Sequence, residues 1–310
     1  MVDFVQDVWD AGLNGLPHPG VTAIVETRDG YLWIATYAGV VRFDGVRFEP
    51  PLVTDSPGRG RAALRDHVRC LIEAQDGAMW FGTRREGVVR VKDGRADIFT
   101  QKEGLVGNDV RVIVETPDGT LWFAGSQGLT SRDKAGTFRV WGKDDGVPAK
   151  VITTAYIDRD GALWIGTVEF GVARFDGKVF HTFPLDAVKG VTILEEAPGQ
   201  ALRSVAAFAR DREGVLWAAT SVGLVRVPEK GPVPPEIHQS AINAIWPSPK
   251  GGVWASTGGG LGLLRDGAWR KYTVKEGLVN DGLTSVYEDG EGSLWTVSYT
   301  HLTLPTIFRV

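Results

Sequence analysis

The stretch Asp29-Gly30-Tyr31-Leu32-Trp33-Ile34-Ala35-Thr36 decides the fold, because the sequence repeats its plan seven times. In each copy a Gly stands three residues before a Trp, and a branched aliphatic residue stands twelve residues before the same Trp. The seven anchors are Trp33, Trp80, Trp122, Trp164, Trp217, Trp254 and Trp295. Successive anchors are 47, 42, 42, 53, 37 and 41 residues apart. A period near 42 residues indicates one supersecondary unit that is copied along the chain.

Each copy has the pattern of four short strands. An apolar run such as residues 21–25 precedes an Asp-Gly pair, which predicts a two-residue hairpin turn because Gly accepts positive φ. The second strand carries the Trp and then small residues, a further Gly opens the third strand, and a second Asp-Gly pair, as at Asp44-Gly45, leads to the fourth. Four strands per copy with turns marked by Gly predict the blade of a β-propeller. We expect each anchor Trp to fill the space between neighbouring blades.

We therefore predict an all-β protein, a seven-bladed β-propeller with four-stranded blades that occupies residues 1–298. Residues 4–9 have the pattern of an outer strand without a blade of its own. We expect this N-terminal strand to complete the last blade and to leave no open sheet edge. Residues 299–310 lack the Gly and the Asp-Gly pair of the repeat, so they are expected to form a non-repeat tail of artefactual origin.

Composition and motifs exclude several classes of function. A net charge of -4 gives no general attraction to nucleic acid or to an anionic membrane. The single Cys70 excludes an internal disulfide, and the absence of 18 consecutive apolar residues predicts no membrane contact from this segment. The five His residues lack metal-ligand spacing, and no nucleophile motif is present. We expect no catalytic residues, no metal site and no cofactor.

A ligand site can be placed only by the geometry of the predicted fold. In a propeller, the loops that precede the inner strands share one face with the loops that join the second and third strands. Long connectors at residues 50–66 and 185–203 lie on the same face, and variation in loop length marks loops that carry function. The candidate ligand-binding residues on this face are Tyr37, His67, Arg84, Arg85, Asn108, Gln127, Glu169, Phe170 and Arg203.

The repeat between Val21 and Phe48 resembles the two-component regulator propeller family, and the likeness extends over residues 4–298. The resemblance implies the sensor region of a membrane histidine kinase or diguanylate cyclase, located in the periplasm or elsewhere outside the cytoplasm. It also implies a small-molecule or glycan ligand, a homodimer formed through the full-length receptor, and no nucleic-acid partner. The family has no fixed catalytic residues.

Two alternatives stay open. The first is a protein-interaction propeller, which a flat and apolar loop face would favour. The second is a streptogramin-lyase-like propeller enzyme, which would need His, Glu and a metal gathered on one face. The sequence before the first repeat shows no secretion signal, so the chain is either cytoplasmic or separated from the segment that exports it.

Overall fold

The computed structural model describes residues 15–51, 53, 63–168, 170–183, 204–221, 223–227, 241–278, 280–288, 292 and 294–298. Its regular structure is almost entirely antiparallel β-sheet, and each sheet is built from strands that follow one another in the sequence. The first four sheets each have four strands: β1 (Val21–Glu26), β2 (Leu32–Thr36), β3 (Gly39–Phe43) and β4 (Phe48–Glu49); β5 (Val68–Glu73), β6 (Met79–Thr83), β7 (Val88–Lys92) and β8 (Arg95–Phe99); β9 (Val110–Glu115), β10 (Leu121–Gly125), β11 (Leu129–Arg132) and β12 (Phe138–Trp141); β13 (Ile152–Ile157), β14 (Leu163–Thr167), β15 (Val172–Phe175) and β16 (Phe180–Phe183).

The later repeats form three further sheets in the described part of the chain. They are the three-stranded sheet of β17 (Val205–Arg210), β18 (Leu216–Thr220) and β19 (Gly223–Val227); the four-stranded sheet of β20 (Ile242–Pro247), β21 (Val253–Thr257), β22 (Gly260–Arg265) and β23 (Ala268–Tyr272); and the hairpin of β24 (Leu283–Glu288) and β25 (Leu294–Ser298).

The all-β fold of four-stranded propeller blades is confirmed, but the number of blades differs from the prediction. Six sheets of three or four strands are blades, and the last repeat is present only as the hairpin of β24 and β25 within the residues described. Its remaining strands, like the predicted closing strand at residues 4–9 and the tail at 299–310, fall outside those residues. The described structure therefore contains six blades rather than seven.

The first turn of each blade also corrects a prediction. The Asp-Gly pair at residues 29–30 does not form a two-residue turn, because Glu26 pairs with Leu32 and the backbone N–H of Thr27 donates to Tyr31 O over 2.9 Å. In the second blade, the second Asp-Gly pair does form a two-residue turn. Asp93 has φ of 51° and Gly94 has φ of 74°, and they join strands paired at Lys92 and Arg95. Positive φ at both central residues is the type I′ turn that suits a twisted hairpin.

The chain forms two compact units. The first contains the blades β1–β4, β5–β8 and β9–β12 with most of β13–β16, and the second contains β17 to β25. In the first unit, Trp33, Trp80 and Trp122 each pack against an aromatic ring of the next blade. The ring centroids of Trp33 and Phe81 are 5.6 Å apart, and those of Trp80 and Phe123 are 5.7 Å apart. All seven anchor rings are buried. The prediction that the anchors lie between blades is confirmed inside this unit.

The small residues after each Trp allow neighbouring inner strands to approach closely. A Cβ at Gly82 would lie 2.5 Å from Cys70 Sγ and 3.0 Å from Val110 Cγ1 of the next blade. Since real Cβ atoms essentially never approach other atoms that closely, Gly82 sets the spacing between these two blades.

In the second unit, buried carboxylates hold the indole rings. Trp217 Nε1 donates to Asp211 Oδ2 over 2.7 Å, within one blade. Trp254 Nε1 donates to Glu288 Oε2 over 2.9 Å, and Glu288 belongs to the next repeat. Both carboxylates are buried. Because a buried polar group must be hydrogen-bonded to be tolerated, these pairs fix the rotamers of the anchors.

On the side where β1 turns into β2, carboxylates join consecutive blades of the first unit. The backbone N–H of Arg28 donates to Glu73 Oε2 over 2.9 Å, and that of Gln75 donates to Glu115 Oε2 over 2.7 Å. Each acceptor is the last residue of the inner strand of the following blade. The joint therefore recurs from one blade to the next.

Candidate functional site

The predicted meeting of two kinds of loop is present in the first unit. The backbone N–H of Tyr37, in the loop between β2 and β3, donates to Gly20 O over 2.9 Å, just before β1. The backbone N–H of Arg84, in the loop between β6 and β7, donates to His67 O over 3.0 Å, just before β5. Antiparallel pairing requires this, since the start of each inner strand lies opposite the end of the second strand. We call this end of the first unit the loop face.

Tyr37 and His67 are brought together on the loop face, although they belong to different blades. Their ring centroids are 4.4 Å apart, and the centroid of the His18 ring lies 5.4 Å from that of Tyr37. The Tyr37 ring lies against Gly20, where a Cβ would come within 2.5 Å of it. Tyr37 nevertheless keeps 41% of its surface exposed. The Tyr37 ring is therefore packed against several neighbours and still keeps about two fifths of its surface exposed.

His18 was not among the predicted site residues. Its Nδ1 accepts a hydrogen bond of 2.8 Å from the backbone N–H of Gly20, so the neutral imidazole carries its proton on Nε2. The signal available in the sequence was its position, two residues before a Gly that immediately precedes an inner strand. Metal-ligand spacing, the criterion applied to the His residues, does not detect such a packing role.

His67 lies in a positively charged environment. Burial lowers the pKa of its imidazole, the guanidinium groups of Arg69 and Arg84 lower it further, and the carboxylates of Asp66 and Asp109 oppose them. At neutral pH the imidazole is therefore uncharged and can both donate and accept a hydrogen bond. Arg85, another predicted site residue, is paired instead: its Nη2 lies 3.2 Å from Asp66 Oδ1, and its side chain is largely exposed.

A second charged group, missed in the sequence, lies on the adjoining inner strands. Arg69 Nε is 2.7 Å from Asp109 Oδ1, and Arg111 Nε is 3.4 Å from Asp109 Oδ2. Arg69 belongs to β5, Arg111 belongs to β9, and Asp109 directly precedes β9. One carboxylate thus lies between two guanidinium groups from neighbouring blades.

Asn108 and Gln127 lie in the third blade beside a shallow cleft. Asn108 Oδ1 accepts from the backbone N–H of Gln101 over 3.0 Å, so the side chain already supports a loop. Gln127 packs against Gly107, and both line the cleft together with Asp109. The space open to the centre of a water-sized sphere is about 10 Å³, so the cleft holds about one water molecule.

The remaining predicted residues are not assembled with these. Phe170 follows β14 and is 44% exposed, with its backbone N–H donating to Thr167 Oγ1 over 3.0 Å. It belongs to the second unit. Glu169 and Arg203 lie outside the described residues. The structure therefore groups Tyr37, His67 and Arg84, whereas the wider set stays a prediction.

The part of the chain that the structure describes contains no group of three or more His, Cys, Asp or Glu side chains placed to hold a metal ion. It also contains no helix with the length and apolar character needed to cross a membrane.

These consecutive antiparallel sheets define a repeat protein of the β-propeller class. Residues 15–38, 104–127 and 146–169 match the family model described as two component regulator propeller. Each match begins in the loop before an inner strand and ends beyond the second strand, so it covers the same part of the blade each time. The chain carries two component regulator propeller repeats, and the resemblance seen in the sequence is confirmed.

Solved structures share the fold at low sequence identity. The extracellular domain of a hybrid two component system from B. thetaiotaomicron is 19% identical with a TM-score of 0.77, over 97% of this chain and 41% of that one. The extracellular domain of a one component system from the same organism is 17% identical with a TM-score of 0.75, over 98% and 40%. Virginiamycin B lyase from Staphylococcus aureus is 16% identical with a TM-score of 0.72, over 99% and 100%.

The chain spans about two fifths of the length of the two extracellular domains, and these likenesses show the fold alone. A comparison with curated proteins found no match to the sequence.

Proposed function

We propose that this chain is the ligand-binding sensor propeller of a two-component or diguanylate-cyclase signalling protein. In this proposal it completes seven blades, lies outside the cytoplasm as part of a membrane receptor, and acts without catalytic residues of its own. The support is the family of its repeats and the extracellular domains that share its fold. A homodimer formed through the full-length receptor would carry the signal across the membrane.

One observation carries the ligand-binding part of the proposal. Tyr37 is the large aromatic residue that the loop face exposes next to a neutral His67, and Gly20 and His18 hold its ring in place. Aromatic rings supply large contact area at a low cost in side-chain entropy, and the neighbouring imidazole can direct a hydrogen bond. A rigid, exposed ring beside a polar group suits a small molecule or a glycan.

The composition of the loop face also bears on the alternatives. Its described residues include His67, Arg84, Arg85 and Gln127, so the face is polar with one aromatic ring rather than flat and apolar. This favours a ligand site over a broad protein-interaction surface. The lyase from Staphylococcus aureus is similar over the whole length of its chain, but at 16% identity that likeness concerns the fold.

Thermal unfolding of the purified chain with a panel of small metabolites and mono- to tetrasaccharides tests the proposal. A ligand present at about 100 times its Kd stabilises the folded state by about 2.7 kcal/mol, which shifts the Tm by several degrees. We expect Tyr37→Ala to abolish the shift. Tyr31→Ala is the matched control, because Tyr31 precedes the same strand β2 at its opposite end. A shift that survives Tyr37→Ala would place the site elsewhere.

A further inference from the structure

At one position of the inner strand, the second and third blades carry a charged residue where the other repeats carry a neutral one. The residue after the branched aliphatic position is Thr22, Arg69, Arg111, Thr153, Ala206, Asn243 or Thr284. In two neutral copies this side chain ties its strand to the backbone of the next blade. Thr22 Oγ1 donates to Val68 O over 2.5 Å, and Asn243 Nδ2 donates to Leu283 O over 2.7 Å. A short neutral side chain is therefore enough for the structural tie.

Arg69 and Arg111 exceed what that tie requires. Together with Asp109 they form a group of two positive charges and one negative charge. Arg69 Nε and Asp109 Oδ1 are close enough for charge attraction, but the N–H does not point at the oxygen. Both atoms are buried without a hydrogen-bond partner among the described residues. Since a buried polar atom without a hydrogen bond is unfavourable, this geometry lowers the stability of the folded state.

The guanidinium groups are also accessible. The side chains of Arg69 and Arg111 are 26% and 32% exposed, and each meets the carboxylate through Nε. Within the described part of the chain, no hydrogen bond is formed by their terminal nitrogens. Arg69 also lies close enough to His67 to lower its pKa, and the His67 ring contacts the ring of Tyr37. A planar fork of N–H donors matches the two oxygens of an oxyanion.

We propose that Arg69 and Arg111 bind an oxyanion group of the ligand, either a carboxylate or a phosphate or sulfate ester, and that Asp109 positions both guanidinium groups. This inference rests on the proposed function and names the chemical class of the ligand. The anion would lie beside His67 and Tyr37, so the aromatic ring would contact the uncharged remainder of the same molecule.

Isothermal titration with malonate, inorganic phosphate and inorganic sulfate as separate probes tests the proposal. We expect at least one probe to bind, with affinity reduced about tenfold or more by Arg69→Gln and by Arg111→Gln, since each removes charge-assisted hydrogen bonds. Arg95→Gln is the matched control, because Arg95 lies on the outer strand β8 with its side chain 79% exposed. Binding of malonate alone indicates a carboxylate, and binding of phosphate or sulfate alone indicates an ester.

A second measurement separates binding from a merely structural role. Nuclear magnetic resonance titration of the His67 ring should show its pKa rising when the anion is bound, because a negative charge favours the imidazolium. Asp66, Asp109, Arg69 and Arg84 are the charged groups that act on this ring and stay the same in both titrations. Should the Gln variants fail to fold, Arg69→Lys and Arg111→Lys keep the charge and remove the fork, and weaker binding is again expected.

Three results would overturn the inference: no probe binds, Arg95→Gln weakens binding as much as the site variants, or the His67 pKa does not rise. A neutral saccharide that binds through Tyr37 while every anion fails would overturn this inference and leave the proposed function standing. If neither a neutral saccharide nor any of the anions binds, the proposed function is contradicted as well.

Discussion

The anchor Trp residues permit a direct measurement of what one buried hydrogen bond contributes. Trp80 and Trp217 occupy the same position in the repeat, and both are buried. Trp80 Nε1 has no hydrogen-bond partner among the described residues, whereas Trp217 Nε1 donates to the buried Asp211. Replacing each with Phe removes the same atoms from the same kind of site. The two variants therefore differ chiefly in one hydrogen bond to a carboxylate.

The magnitudes follow from area and hydrogen bonding. An indole buries on the order of 50 Å² more than a phenyl ring, which corresponds to about 1.3 kcal/mol. In Trp80→Phe the loss of a buried unsatisfied N–H offsets part of this cost, so we expect a destabilisation of about 1 kcal/mol. Trp217→Phe also deprives Asp211 of a donor, which adds about 1.5–3 kcal/mol. The expected total for Trp217→Phe is about 3–4 kcal/mol.

Urea unfolding followed by circular dichroism gives the two free energies of unfolding. Because the residues belong to different compact units, hydrogen exchange of β6 and β18 should accompany it to show which unit is weakened. In the double variant Trp217→Phe/Asp211→Asn the carboxylate is absent, so the loss in free energy of unfolding should be smaller than the sum of the losses for the two single variants. Equal losses for the two Phe variants, or a larger loss for Trp80→Phe, would refute the reasoning.

Three further outcomes are expected. Burial raises the pKa of the Cys70 thiol to about 12, so very little thiolate is present at pH 8. Iodoacetamide should therefore modify Cys70 much more slowly in the folded chain than in the unfolded chain, as mass spectrometry would show, and equal rates would contradict the raised pKa. Burial also raises the pKa of Glu115, so the ionisation of this carboxyl group disfavours the folded state as the pH rises from about 4.5. Glu115→Gln keeps an acceptor for the backbone N–H of Gln75, so the variant should be at least as stable as wild type at pH 7. Urea unfolding should show that the difference in free energy of unfolding between the two proteins vanishes at pH 4. Thr273→Ala removes the cap of the short helical turn at Val274–Glu276 and should cost about 1 kcal/mol, whereas an unchanged Tm would show that Glu276 alone supports the turn.

Much of the blade could be predicted because its signals are local. A Gly was predicted to open the third strand of each copy, and in the first blade β3 begins at Gly39. Gly and Asp restrict or permit backbone conformations within a few residues, so the turns are marked in the sequence itself. The length of the first turn was predicted wrongly, because Thr27 pairs with Tyr31 and the turn therefore contains the three residues 28–30.

The site was less accessible to prediction, since it depends on pairs of residues from different blades. Repeat positions placed Tyr37 and His67 at one end of the blades, but the 4.4 Å contact between their rings depends on how two sheets pack. The same is true of Arg69 and Asp109, which are 40 residues apart in the sequence. The sequence repeat shows which blades are neighbours, whereas the contacts between individual side chains depend on how the two sheets pack.

The carboxylate joints between blades have a consequence for how such a gene can change. The second blade carries both halves of the joint, since Glu73 accepts from the blade before it and Gln75 donates to the blade after it. A duplicated segment of this length would therefore bring its own matching ends, and the copy could be inserted between two existing blades without evolving a new contact. Recombination that adds or removes whole 42-residue repeats would lengthen or shorten the array and keep these joints. An insertion or deletion of any other length would separate the donor from the acceptor at two joints.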